Sequence, residues 1–492
     1  MFLGVPKMDI DSNMRNEPQY GDLRDLIGQI DSRGELLKID GVDWDLELGG
    51  LLDMIYHAET KNPPALLFDN IKGYPKGFRI SAGATNSPGR FALIMGLPEP
   101  DHPLDAVASF CARMRGDFKP IPARIVKDGP ILENVDRDDD VDIWKFPVPK
   151  LHELDGGRFI GTNDMVIMRD PDTGSINAAT YRVQVHDRNT TGLWISPGKQ
   201  GRIILDKYIA RGEPCPVVIC CGIDPMLFIF GGTKTPAGVS EIDYAGGHKN
   251  CAFDVIESEL HKLPIPAEAE VVLEGEVYID DKRPEGPFGE FTGYYASAMS
   301  DQPTVRVRRV YYRDDPILTV ACPMRPPTDY SAAASMIHSA MIWDEMEKAN
   351  LPGIRGVWVP WSTRLATVVS IKQMYAGHAK QAAMLAASVQ AGAFLNRYTI
   401  VVDDDIDPTD SDAVLWAMAT RSDPASDIDI ARNTWSTPLD PLLSGPPYQN
   451  TRAMIDACRP WGSIEDFPPV AEPSVDLRQQ IHEKWGHLLT GK

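Results

Sequence analysis

Between Gly156 and Tyr312 the chain falls into a series of short β-rich segments: Met165-Val-Ile-Met, Thr180-Tyr-Arg-Val-Gln-Val, Pro216-Val-Val-Ile-Cys, Leu227-Phe-Ile-Phe, Ala269-Glu-Val-Val-Leu and Thr304-Val-Arg-Val-Arg-Arg-Val-Tyr-Tyr. Short strands in succession, rich in β-branched and aromatic residues, predict a barrel or sandwich. On either side the periodicity is different. Leu23, Leu26, Ile27 and Ile30 recur at helical spacing, Gly34 supplies a stop and Glu35-Leu-Leu-Lys-Ile reads as a strand. Residues 51–57 then read as a helix, Ala65-Leu-Leu-Phe as a strand and 88–95 as a third helix. After Pro326 a helix over 331–350 ends at Pro352-Gly353, followed by a strand at 366–371, an Ala-rich helix over 377–390 and a strand at 398–402. The expected fold class is therefore α/β + β, with an N-terminal α/β domain over 1–130, a β domain over 131–325 and a C-terminal α/β domain over 326–492. The acidic run Asp136 to Asp142 and Phe146-Pro-Val-Pro mark the first boundary zone.

Composition narrows the function. At 492 residues the chain exceeds what a single core holds. Lys plus Arg is 49 against 70 Asp plus Glu, a net charge of −21, which argues against nucleic acid or an anionic membrane as partner. An anionic ligand must find local positive charge. Seven cysteines with no Cys-x-x-Cys pair suggest reduced thiols and no common zinc site, with Cys220 and Cys221 in the core. The first 20 or so residues are polar and expected to be loose. The absence of a signal-peptide pattern and of any membrane-length apolar run gives a cytoplasmic expectation. No Gly-x-Gly-x-x-Gly or Gly-Lys-Ser/Thr pattern follows a strand, so neither a dinucleotide nor a nucleoside triphosphate is indicated.

The stretch Arg283 to Tyr295 places Glu285 and Glu290 among Gly286, Pro287, Gly289 and Gly293. Such residues exclude regular structure and predict a shaped loop that presents both acids after a strand at 270–279. On composition alone a solvated turn accounts for it equally well. Pro284-Glu-Gly-Pro-Phe-Gly-Glu-Phe-Thr-Gly-Tyr-Tyr resembles the signature loop of the UbiD family of prenylated-flavin-dependent decarboxylases. The resemblance extends, in order, through the segment 146–160, Tyr181-Arg-Val-Gln-Val, Gly238-Val-Ser-Glu-Ile-Asp-Tyr-Ala-Gly, Met374-Tyr-Ala-Gly-His-Ala-Lys and Val401-Val-Asp-Asp-Asp-Ile-Asp.

That resemblance implies that the central domain is a split β-barrel holding prenylated FMN and that the C-terminal domain makes a homodimer or a multiple of one. It implies a small aromatic acid as substrate, a flavin prenyltransferase as cofactor supplier, and a reversible decarboxylation. Arg182 matches the catalytic arginine, whose fork could grip a carboxylate in two places; Glu285 matches its paired acid and Glu290 the acid that returns the proton. Asn177 and Glu241 match ligands of a Mn2+ (or Mg2+) ion at the cofactor phosphate, with K+ as an optional further ion. At the third ligand position, where the family usually has histidine, this chain has Gln200, and Lys199 beside it could bind the phosphate directly. Taken alone, Arg182 reads as a structural salt-bridge residue and His186 as an ordinary hydrogen-bonded histidine.

A flavin oxidoreductase and a non-catalytic assembly subunit are the competing classes. The first has no use for the acid pair and the second would be expected to lose one of Arg182, Glu285 and Glu290. Outside the matched site, Lys372, His378 and Lys380 surround a helix start that could face an anion. Asp403 to Asp407 reads as a turn before a helix capped by Ser411. Arg325, Trp361 and Trp435 are candidates for substrate contact. Leu477, Ile481, Trp485 and Leu488 form a stripe on a helix capped by Ser474, which a neighbouring subunit or its own domain must cover.

Overall fold

The computed structural model describes residues 20–489 apart from 59–61, 116–117, 234, 237, 296–297 and 444, so the expected loose N-terminus, 1–19, lies outside the described residues. Helix Leu23–Ser32 starts where the Asp22 side chain accepts the Asp25 N–H, and it buries Leu23, Leu26, Ile27 and Ile30 as its spacing requires. Strand Leu36–Asp40 pairs in parallel with Ala65–Asp69, which pairs antiparallel with Arg79–Ala82. The fourth strand of this sheet, Ile317–Thr319, comes from far along the chain and lies parallel to Arg79–Ala82. Helix Pro88–Met95 has Ser87 as its cap, proline in its first turn and left-handed Gly96 at its end.

The central sheet has nine strands, and the long hairpin of Val271–Glu285 with Ser300–Tyr312 is its spine. Along these strands neighbouring residues enter different cores. Val166, Met168, Val217, Ile219, Val271 and Leu273 pack on one side, whereas Met165, Ile167, Val218, Cys220 and Val272 pack on the other. Both faces are covered, which explains the continuous apolar runs. The sheet curls until the Cys221 thiol, on strand Cys215–Cys221, reaches the Ile160 carbonyl at 3.6 Å, although four strands separate their two strands in the sheet order.

Several elements differ from expectation. Leu227-Phe-Ile-Phe is not a strand but lies in helix Pro225–Gly231, where Asp224 accepts the Met226 N–H and Pro225 opens the first turn. Its side chains are buried on nearly every side, which removes the polar face that would have revealed a helical period. Helices Gln200–Arg211 and Glu241–Lys249 interrupt the β-rich run. The strand before the signature loop continues beyond 279 to Glu285, which pairs with Ser300. The acidic run is stitched to the sheet: Asn134–Arg137 pairs with the end of the hairpin, and Asp138 meets Arg308 at 2.8 Å and Arg309 at 2.9 Å.

Beyond residue 330, a five-stranded sheet runs in the order Ile354–Trp358, Ala366–Ile371, Tyr398–Asp403, Gln449–Ala457 and Ile428–Trp435. Helices Ser331–Lys348 and His378–Ser388 lie against it. The acidic cluster is an ion-pair centre, with Arg421 on Asp403 and Asp405 and Arg459 on Asp403; the next helix, Ser411–Arg421, is capped by Asp410 rather than Ser411. The helix start at His378 has no free histidine. Its Nδ1 accepts the Met374 N–H at 3.2 Å and its Nε2 lies 3.0 Å from the Pro352 carbonyl, while Lys380 pairs with Asp429 at 2.9 Å. Ser474 accepts the Leu477 N–H at the start of helix Val475–Leu489, and Leu477, Ile481, Trp485 and Leu488 are 46, 38, 46 and 67% exposed, so its own domain does not cover the stripe. Among the described residues no helix is long and apolar enough to cross a membrane.

One core residue sets a pH dependence. The Asp164 carboxyl is completely buried, has no hydrogen-bond partner beyond its own backbone, and burial raises its pKa well above the usual carboxylate value. In the unfolded chain this acid ionises near pH ~4, whereas in the fold it stays protonated to higher pH, so raising pH above ~4 progressively removes stability, at about 1.4 kcal/mol per unit of difference. Asp164→Asn should therefore raise the melting temperature more at pH 8 than at pH 5. Thermal unfolding that shows the same increment at both values would disprove the assignment.

Candidate active site

Strand Arg182–Asp187 places Arg182 and Gln184 on one face, two residues apart, and both reach the signature loop. The Arg182 Nε and Nη2 meet Glu285 Oε1 and Oε2 at 2.6 and 2.7 Å, and Nη1 meets Glu290 Oε1 at 3.2 Å. The guanidinium lies 4.7 Å from the Trp194 ring centre and 5.4 Å from that of Phe288. The fork that could have gripped a substrate carboxylate is thus occupied by Glu285.

The loop itself is tightly formed. Gly286, at φ 78°, donates its N–H to Gln184 Oε1 at 2.9 Å, while Gln184 Nε2 donates to the Gly156 carbonyl at 3.2 Å. Gly156 donates to the Pro287 carbonyl at 2.8 Å, and a Cβ on Gly156 would stand 1.8 Å from the Gly286 oxygen, so only glycine permits this approach. Asp155 accepts the His152 N–H at 3.0 Å and the Gly289 N–H at 3.4 Å. Glu290 donates its N–H to Tyr294 at 2.9 Å and accepts that of Gly293 at 2.8 Å.

The two acids are therefore differentiated. Glu285 is completely buried with both oxygens on Arg182. Glu290 has a single, longer contact with the same cation. Burial pushes its pKa up to about 7 against the pull of Arg182, and the Glu285 charge adds to the rise. A carboxyl poised near neutrality can both give and accept a proton.

Asn177 and Glu241 also come together. Glu241 opens helix Glu241–Lys249 after the Ser240 cap, and its carboxylate accepts the Ala178 N–H at 2.8 Å and the Asn177 side-chain N–H at 3.3 Å. Burial raises the Glu241 pKa, and among the described residues no cation pairs with it. Tyr181 donates to Asn177 Oδ1 at 3.2 Å and accepts the Gly201 N–H at 3.0 Å, which ties the start of helix Gln200–Arg211 to Asn177. Gln200 is exposed at that helix start, and among the described residues no hydrogen bond ties its side chain to Asn177 or Glu241. Oxygen donors with an uncompensated carboxylate fit a hard divalent cation. Among the described residues no group of three His, Cys, Asp or Glu could hold a metal. His186 takes no part: burial lowers its pKa, and its Nε2 has no hydrogen-bond partner, contrary to the expected ordinary hydrogen bond.

Of the expected substrate contacts, Arg325 abuts the loop through its backbone, with its Cα 2.8 Å from where a Gly293 Cβ would stand. Trp361 packs on Trp358 and Trp435 on Phe394. Sequence reasoning missed Trp194, Gln184 and Asp155. Gln184 could have been found from its place two residues after Arg182, and Asp155 from the paired glycines that follow it.

Models of the 3-octaprenyl-4-hydroxybenzoate carboxy-lyase N-terminal, Rift-related and C-terminal domains match residues 27–109, 124–326 and 331–457. A pyrrole-2-carboxylic acid decarboxylase of Pseudomonas aeruginosa is 34% identical over 440 residues, covering 86% of this chain and 87% of its own. A phenolic acid decarboxylase of Bacillus subtilis is 30% identical over 446 residues, covering 90% and 93%. The vanillic acid decarboxylase of Sedimentibacter hydroxybenzoicus in open form superposes with a TM-score of 0.82 at 28% identity, covering 96% of this chain and 100% of its own. The UbiD-class enzyme HmfF from Pelotomaculum thermopropionicum, in complex with FMN, gives 0.80 at 26%, covering 93% and 98%. With its three segments matched in order, the chain belongs to the UbiD family of carboxy-lyases.

Proposed function

We propose that this protein is a prenylated-FMN-dependent, reversible decarboxylase of an aromatic, phenolic or heteroaromatic carboxylic acid. The observation that carries the reading is Glu290, with a pKa of about 7, beside an Arg182 that is locked to Glu285. Relatives that decarboxylate pyrrole-2-carboxylic and phenolic acids, and neighbours complexed with FMN and prFMN, support it. Loss of CO2 from an sp2 carbon leaves electrons that no side chain can accommodate, and bound prenylated FMN supplies that electron sink. Glu290 delivers the proton to the carbon that CO2 has left and removes it in the reverse direction. Arg182, fixed by Glu285 and flanked by Trp194, holds Glu290 in place. Asn177 and Glu241, with Gln200 as a third oxygen donor, would hold Mn2+ or Mg2+ at the cofactor phosphate, with room in the scheme for K+, and Lys199 would add positive charge there.

The assembly belongs to the same reading. We divide the chain into 1–130, a flavin-binding split barrel over 131–325 and a dimerisation domain over 326–492, a division that the matched segments 27–109, 124–326 and 331–457 support. We place the protein in the cytoplasm, with a flavin prenyltransferase as its cofactor supplier.

Glu290→Gln keeps the shape of the side chain but removes the transferable proton, so decarboxylation should fall by at least ~10²-fold with cofactor retained. In wild type the activity should decline as pH rises through about 7, because the proton donor ionises. The mutant should also fail to catalyse hydrogen–deuterium exchange at the product carbon in D2O, and exchange at the wild-type rate would exclude Glu290 as the acid. Glu241→Gln should lower metal and flavin content together; full flavin occupancy in metal-free mutant protein would remove the metal role. Finally, the uncovered stripe on Val475–Leu489 predicts a homodimer or a multiple of one. Light scattering that gives 54.4 kDa at micromolar concentration would refute it.

A further inference from the structure

Arg182 has its nitrogens on Glu285 and Glu290, so this guanidinium is not free to receive an anion. Another guanidinium approaches from the C-terminal segment. Arg364, on the loop between strands Ile354–Trp358 and Ala366–Ile371, stacks 4.7 Å from the ring centre of Phe291, the residue after Glu290. Its Nη2 lies 2.9 Å from His338 Nε2, and His338 Nδ1 lies 2.7 Å from the Ala334 carbonyl. Because a carbonyl can only accept, Nδ1 carries the proton and Nε2 is the acceptor for Arg364.

His338 therefore orients Arg364 without neutralising it. Burial and the Arg364 charge hold the His338 pKa down to about 3, so the ring stays neutral. Among the described residues no carboxylate pairs with Arg364. Its charge acts on the Tyr330 phenol, as does that of Glu290. Five guanidinium N–H groups in a planar fork, with one directed to His338, match a carboxylate in geometry and charge.

We propose that Arg364 receives a second carboxylate of the substrate, which makes the substrate an aryl dicarboxylate. This rests on the decarboxylase reading. The carboxylate that leaves is a poor candidate for this position, because a cation on it would stabilise the charge that must be given up as CO2 departs. The cofactor phosphate is the other source of an anion, and the stacking of Arg364 on the residue next to Glu290 favours the substrate.

The test uses flavin-loaded protein and calorimetric titration with benzoate, benzene-1,3-dicarboxylate and benzene-1,4-dicarboxylate. Wild type should bind one of the dicarboxylates at least tenfold more tightly than benzoate, Arg364→Gln should abolish that preference, and Arg364→Lys should keep part of it. Equal affinities in wild type would overturn the proposal without any variant, and so would an Arg364→Gln protein that keeps the preference. Loss of flavin from Arg364→Gln, read from the absorbance of released cofactor, would assign the residue to the phosphate instead and also overturn it. The titration reads binding without turnover. A dicarboxylate preference in protein that decarboxylates no aryl acid would leave the subsite standing and reject the decarboxylase reading.

Discussion

Arg182 and Glu285 stand at the ends of two strands of the same sheet, with two further strands between them in the sheet order, and their bidentate contact spans that interval. Gly192, on an intervening strand, packs directly beneath this contact. A Cβ on Gly192 would touch Glu285 Cγ at 3.4 Å and crowd His186 Nε2 at 2.8 Å, so a larger residue would have to displace the histidine beside the acid. With Glu285 completely buried, removal of either partner strands a charge, at a cost of about 3–5 kcal/mol. The loop geometry downstream depends on this pair, because Glu285 is immediately followed by Gly286, the point at which Gln184 and Gly156 fix the turn.

One arginine thus serves two acids unequally, and the inequality generates the chemistry. Glu285 takes two short contacts and remains a counter-charge. Glu290 has one contact at 3.2 Å, in a setting where burial outweighs that attraction. Had Arg182 turned its fork toward Glu290, that carboxyl would have been held ionised and could not deliver a proton at neutral pH. The aromatic faces of Trp194 and Phe288 limit the guanidinium to its observed plane.

Much of this was legible in the residues. The helical spacing of Leu23 to Ile30 and the cluster of glycines around Glu290 required only local rules. Leu227 to Phe230 was misread because enclosure on all sides erases the difference between a period of two and one of 3.6. Glu285 was assigned to the loop because proline and glycine follow it, yet the ladder to Ser300 holds it in the sheet. Trp194 and Arg364 were invisible because their roles come from partners remote in sequence: Trp194 meets Arg182 across a hairpin, and Arg364 meets Phe291 between separate sheets. Gln200 stands where the resemblance puts the third ligand, and its place at a helix start does not by itself fix which way the side chain points.

The fourth strand of the first sheet has a consequence for how the chain is made. Ile317–Thr319 closes the open side of Arg79–Ala82, so the first α/β unit is incomplete until more than half of the polypeptide has left the ribosome. Through that interval the edge of Arg79–Ala82 has no strand beside it, and such edges template pairing between nascent chains. Chaperone occupancy on translating ribosomes should accordingly persist well beyond the synthesis of the first hundred residues and end only after this short segment emerges.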